Sequence, residues 1–124
     1  MSSLTSRIKA RAKAIGFDKV GIAPAGALAE ESERLREWLR RGYHGTMSWM
    51  ARNADRRSDP RTVLPGARSV VCVALNYYTA GEHPDDAARG KISRYAWGED
   101  YHGIVLDKLE ALKEYIGGEA PGVA

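Results

Sequence analysis

Sulfur ligands are nearly missing from this sequence: Cys72 is its single cysteine. One thiol cannot build an internal disulfide framework, and such scarcity fits a reducing, cytoplasmic setting. Nor can it hold an iron–sulfur cluster or a cysteine-rich zinc site, each of which takes about four protein ligands. Long apolar runs are also missing. None approaches the roughly 20 residues needed to cross a bilayer, so no membrane association is expected. The opening Met1-Ser2-Ser3-Leu4-Thr5-Ser6-Arg7 lacks the apolar core of a secretory leader. No Gly-x-Gly-x-x-Gly follows an expected strand, and there is no phosphate-binding Gly-Lys-Ser/Thr loop or Gly-x-Ser-x-Gly elbow. The three histidines, His44, His83 and His102, do not pair at i, i+4, and no acidic cluster points to a cation cage, so no metal ligands are assigned. Neither sign of charge dominates. Nineteen Lys and Arg against 16 Asp and Glu give a net +3 and a pI near 9.1, which permits a nucleic-acid partner without demanding one. The arginines gather at Arg34, Arg36, Arg40 and Arg41 and again at Arg52, Arg56, Arg57 and Arg61. A solvated helix face explains that as well as a footprint for a phosphate backbone does.

What is present reads as alternating helices and strands. Leu4, Ile8, Ala12 and Ile15 recur at helical spacing, and Gly16 stands where a C-cap belongs. Residues 18–23 read as a short strand. Pro24 and Gly26 interrupt the chain before a second helix with Leu28, Leu35, Trp38 and Leu39 on one face, ended by Gly42. Thr46 is placed to cap a short helix carrying Met47, Trp49 and Met50, whose Met/Trp stripe reads as core packing. Residues 69–78 are apolar on both faces through Leu75, the mark of a strand covered on both sides, with Cys72 inside it as an inert small hydrophobe. Residues 79–90 read as a polar surface loop and 91–97 as extended. A last helix is expected from about Asp100 to Ile116, with Val105, Leu109, Leu112 and Ile116 on its buried stripe. The implied fold class is α/β, a mostly parallel sheet flanked by helices. Two strands fall short of the usual four to six or so. Residues 1–124 are therefore expected to be the front part of a larger domain.

Three stretches carry more. They are residues 42–50 (Gly-Tyr-His-Gly-Thr-Met-Ser-Trp-Met), residues 57–66 (Arg-Ser-Asp-Pro-Arg-Thr-Val-Leu-Pro-Gly) and residues 93–102 (Ser-Arg-Tyr-Ala-Trp-Gly-Glu-Asp-Tyr-His). In this order and spacing they resemble the amino-terminal region of epoxyqueuosine reductases, from the first helix to Ile116. The resemblance implies an oxidoreductase of queuosine biosynthesis that reduces epoxyqueuosine to queuosine in tRNA. It implies cobalamin and 4Fe–4S clusters as cofactors, with the corrinoid lying between this α/β region and a ferredoxin-like domain. The cluster cysteines and the carboxylate that gives the proton have no counterpart in this chain, so the segment alone is expected to be inactive. The electron donor is left unnamed.

The same resemblance assigns site residues, each of which also has a plainer reading. Arg57 matches a corrinoid-contacting position, where a guanidinium can donate several directed hydrogen bonds to amides and phosphate; otherwise it caps the turn before Asp59-Pro60. Ser93 matches another corrinoid contact, where a small residue lets backbone approach a flat macrocycle; otherwise it is an ordinary strand serine. Asp100 is first a helix N-cap, yet with Tyr101 and His102 it also forms a hydrogen-bonding corner at a helix start, a place where ligands gather in open α/β sheets. Asp100, Tyr101 and His102 are the substrate-pocket candidates. Two other functions stay open at this point. One is the front domain of another corrinoid iron–sulfur reductase, such as a relative of the reductive dehalogenases, acting on a small molecule. The other is a non-catalytic adaptor for RNA or protein.

Overall fold

The computed structural model describes residues 2–122. Its elements are helix α1 (Leu4–Ile15), strand β1 (Lys19–Pro24), helices α2 (Ala29–Arg40), α3 (Ser48–Arg52) and α4 (Ala54–Ser58), strand β2 (Ser69–Ala74) and helix α5 (Tyr101–Glu119). Single 3-10 turns stand at Pro60–Thr62 and Arg94–Ala96. The chain divides into two compact units, Met1–Gly21 with Val73–Ala124 and Ile22–Cys72.

In the first unit α1 and α5 pack together, and the core is thin: Ile8, Ala12, Phe17 and Leu112 are its buried apolar side chains. The end of α1 explains how Phe17 gets there. Gly16 takes φ 110°, a conformation a side chain would strain, and its N–H donates to Lys13 O at 3.0 Å while Phe17 N–H donates to Ala12 O at 3.1 Å. That pair of bonds turns the chain back on itself and drops the next apolar side chain into the core. Lys108 of α5 donates its Nζ to Ile15 O at 2.8 Å, satisfying one of the carbonyls that a helix end leaves open. Arg7 pairs with Glu119 across the same two helices, Nε to Oε2 at 2.7 Å.

In the second unit α2 packs on α4, and Leu28 N–H donates to Ser58 O at 2.8 Å. Leu35, Trp38 and Leu39 are half-buried on one side of α2. The other side is laced by ion pairs, Glu30 with Arg34 and Glu37 with both Arg40 and Arg41. The acids stand toward the amino end of each pair, the better orientation along a helix.

Several sequence expectations need correction. The sheet has two strands among the described residues, and they run antiparallel rather than parallel. Asp18 N–H bonds to Ala74 O and Ala25 N–H to Arg68 O, so the register falls on β2 as it climbs on β1. An apolar run reports burial, not direction, and these two strands gave no sign of which way they pair. Residues 91–97 are not an extended segment: a 3-10 turn occupies Arg94–Ala96. Thr46 does not cap α3, which starts at Ser48 with Met47 before it; Thr46 instead offers its carbonyl to Ser48 N–H at 2.8 Å. Met47 and Trp49 are exposed, so the Met/Trp stripe is not core. A five-residue helix is too short to bury a full face. Cys72 is exposed as well, because β2 has a single neighbouring strand among the described residues. Helix α5 runs on through Gly117 and Gly118 to Glu119, past the end expected at Ile116.

Candidate functional site

The amino end of α5 is built by Asp100. Its Oδ1 accepts the N–H of His102 at 2.9 Å, the N-cap bond expected of an acid here, and the same oxygen meets His102 Nδ1 at 2.7 Å. Both bonds favour the ionised carboxylate. The His102 backbone N–H first, then its imidazole, hold Asp100 below the ordinary carboxylate range. Both side chains stand open to solvent. With Nδ1 engaged, Nε2 is the ring nitrogen without a hydrogen-bond partner among the described residues. The Tyr101 ring stacks on the His102 ring, centroids 4.1 Å apart and planes 25° from parallel.

Tyr101 begins a ladder of rings. Tyr95 meets it edge to face at 6.2 Å, and Tyr77 meets Tyr95 in the same manner at 6.4 Å. These three tyrosines, with Phe17, Val73, Leu75, Asn76 and Val105, line a hollow of about 400 Å³. Tyr95 and Tyr101 also wall a second hollow of about 390 Å³ on the side of Asp100 and His102. The loop that presents Tyr77 is stapled by Arg94. Its guanidinium lies 5.0 Å from the Tyr78 ring centroid and 5.7 Å from that of Trp97, and its Nη2 donates to Gly81 O at 3.1 Å. Trp97 adds a bond from Nε1 to Ile92 O at 2.8 Å. Asn76 closes the strand side: its N–H donates to Asp18 Oδ2 at 2.6 Å, and its Oδ1 accepts from Tyr78 N–H at 3.0 Å.

Ser93 belongs to this unit. It precedes the 3-10 turn, its carbonyl accepts from Ala96 N–H, and it makes no capping bond through its exposed hydroxyl. So the structure brings Asp100, Tyr101 and His102 to one corner, with Tyr95 beside them. Sequence reasoning missed Tyr77, Tyr95 and Asn76 as site residues. Tyr95 stood inside a quoted motif, but only the fold puts Tyr77 against it.

Arg57 lies in the second unit, on α4. It lines a hollow of about 620 Å³ whose other walls include Pro24, Leu28, Val63, Leu64 and Val70. The turn at Asp59-Pro60 is held by another residue. Asp59 accepts from Arg61 Nη2 at 2.7 Å and Nε at 3.0 Å, and these bonds hold its carboxyl below the usual range. Among the described residues Arg57 has no ion-pair partner. Arg57 thus sets a free guanidinium beside an apolar wall, a lining that suits a large ligand with an apolar face and a polar fringe.

These surfaces define a mixed helix–strand module whose exposed rings, imidazole and guanidinium suit planar ligands with polar edges. Comparison with known proteins makes the assignment specific. Residues 57–124 match the family model "Epoxyqueuosine reductase QueG, DUF1730". The epoxyqueuosine reductase of Gloeobacter violaceus is 49% identical over 123 residues, which cover 98% of this chain and 38% of that protein. That of Leadbetterella byssophila is 49% identical over 116 residues, covering 94% of this chain and 38% of the relative. A crystal structure of an epoxyqueuosine reductase with a tRNA-Tyr epoxyqueuosine-modified stem loop superimposes with a TM-score of 0.79 at 29% identity, covering 94% of this chain and 32% of that one. The chain belongs to the epoxyqueuosine reductase family, and it spans just over a third of the length of these curated relatives.

Proposed function

We propose that this chain supplies the amino-terminal, substrate- and corrinoid-facing part of an enzyme that reduces epoxyqueuosine to queuosine in tRNA. The observation that carries this reading is the match of almost the whole chain, at 49% identity, to epoxyqueuosine reductases. The overall conversion takes two electrons and two protons: both carbon–oxygen bonds of the epoxide break, an alkene forms, and the oxygen leaves as water. Cobalamin, when bound, supplies the low-potential chemistry at the epoxide, with 4Fe–4S clusters feeding it electrons. Arg57, whose free guanidinium borders the apolar hollow of its own unit, would contact the corrinoid. Ser93, considered by itself, is a second candidate contact, its small side chain letting backbone approach a flat macrocycle. Asp100, Tyr101 and His102 would face the substrate. Asp100, whose Oδ1 meets both the backbone N–H and the Nδ1 of His102, would orient the imidazole. The single cysteine leaves the clusters to ligands outside this sequence. Among the described residues no helix is long and apolar enough to cross a membrane, in keeping with a cytoplasmic tRNA-modifying enzyme.

The test is reduction of epoxyqueuosine-tRNA by the complete protein with cobalamin, reconstituted clusters and a strong reductant, read as loss of one oxygen from the nucleoside by mass spectrometry. Queuosine is the expected product, and its absence from a fully loaded enzyme would overturn the reading. The 124-residue chain alone should give none above a no-protein control.

A further inference from the structure

We infer that the tyrosine ladder of the first unit is a stacking slot for one unpaired nucleobase of the RNA, with Asn76 reading that base's edge. The inference rests on the proposed reading and goes beyond it by naming the subsite. Three observations converge on the hollow lined by Tyr77, Tyr95 and Tyr101. First, the rings are not core: they are 64%, 52% and 43% exposed, respectively. Large aromatic side chains left this open in an edge-to-face ladder offer faces to a flat partner. Second, the hollow's size of about 400 Å³ falls within the range of small-molecule sites, and its other walls, Phe17, Val73, Leu75 and Val105, are apolar. Third, its one amide is half used. Tyr78 N–H donates to Asn76 Oδ1, which fixes which end of the amide is oxygen, and among the described residues Asn76 Nδ2 has no acceptor.

A slot with π faces on its walls and a free amide donor at its rim matches an unstacked base, which presents a π face for stacking and carbonyl or ring-nitrogen acceptors at its edge. Phosphate recognition would call for cations, and none lines this hollow. The Arg94 staple fixes the loop that carries Tyr77, so the slot is held open before a ligand arrives.

The experiment uses the complete enzyme and an anticodon stem loop carrying epoxyqueuosine, with 2-aminopurine placed in turn at each unpaired neighbour of the modified nucleotide. Stacking quenches that fluorophore, so binding should quench it at one position. Tyr95→Leu should weaken stem-loop binding by about five- to 150-fold, the typical worth of one stacked base, and abolish the quenching. Tyr95→Phe keeps the ring face and should restore both. Asn76→Leu should weaken binding while leaving the quenching in place. If Tyr95→Leu unfolds, as judged by circular dichroism, Tyr77→Leu carries the same expectation. Unchanged affinity and quenching in the leucine variants would overturn the slot, and so would Tyr95→Phe failing to rescue. Loss of binding without any quenched position would also overturn it. Wild-type enzyme that binds and reduces the stem loop while the slot variants behave normally refutes the slot alone. Wild-type enzyme that does neither refutes the function on which it rests.

Discussion

Helix α5 offers a sharp test of the packing that positions the site, because its two sides differ so much. Leu112 is 3% exposed in the small core shared with Ile8, Ala12 and Phe17, whereas Leu106 on the same helix is 56% exposed. Leu112→Ala removes buried methyl and methylene groups and leaves a cavity, a change that costs about 2–5 kcal/mol in well-packed interiors. Among the described residues this core has four buried apolar side chains, so its neighbours can relax inward, and we place the loss at about 2–3 kcal/mol. For a chain of this size that lowers Tm by roughly 6–18 °C. Leu106→Ala should stay within about 0.5 kcal/mol, because the helix loses little propensity and no burial. Thermal unfolding of both variants, followed by the helical circular dichroism signal, makes the comparison. Equal losses would refute the assignment of the buried side of α5, and with it the position of the Asp100 corner at the head of that helix.

Four further outcomes are expected. Arg57→Ala in the complete enzyme should weaken cobalamin binding about ten- to a hundredfold, the worth of one charged hydrogen bond, with unfolding unchanged; titration of the cofactor checks it. Gly16→Ala should cost about 1–2 kcal/mol in thermal unfolding, since φ 110° is strained for any residue with a Cβ, and unchanged stability would count against that turn. Asp100 has a folded pKa below its ordinary 3.8, so its stabilising bonds are fully present above that value and are lost as pH falls through the lowered one; a carbon-detected NMR titration with its midpoint above 3.8 would reverse the sign. Asp100→Asn keeps a cap oxygen and should unfold like wild type, yet lose charge against His102 and slow single-turnover reduction of epoxyqueuosine-tRNA, whereas Asp100→Ala should lower Tm as well.

Local rules carried the sequence reading well where one residue decides the backbone. Gly16 ends α1 and Asp100 begins α5 because each solves a problem of unpaired backbone groups within a few residues of itself. The rules failed where the answer lies in a distant partner. The apolarity of Ser69–Ala74 said that a strand was there, but antiparallel pairing is set by Asp18 and Ala25 finding Ala74 and Arg68. Met47 and Trp49 carried a helical stripe, yet a stripe needs a surface to cover it, and both are open. The candidate site divides in the same way. The Asp100–His102 contact spans two residues and could be suspected from spacing. The Tyr77–Tyr95 contact closes a long polar loop through Arg94, which no period or cap in the sequence announces.

One oxygen ties these observations together. Asp100 Oδ1 accepts both the backbone N–H and the imidazole Nδ1 of His102, so the residue that starts α5 also decides how His102 faces. For Nδ1 to donate, a neutral imidazole must carry its proton there, which leaves the lone pair on Nε2. The two bonds the carboxylate accepts favour its ionised form further. Tyr101, stacked on the imidazole at 4.1 Å, limits the ring's rotation about its remaining free torsion. Capping and orientation are thus one piece of geometry. A substitution that spares the cap but removes the charge separates them, whereas one that removes both would confuse a frayed helix with a lost functional group. That is why asparagine, and not alanine, is the informative replacement at position 100.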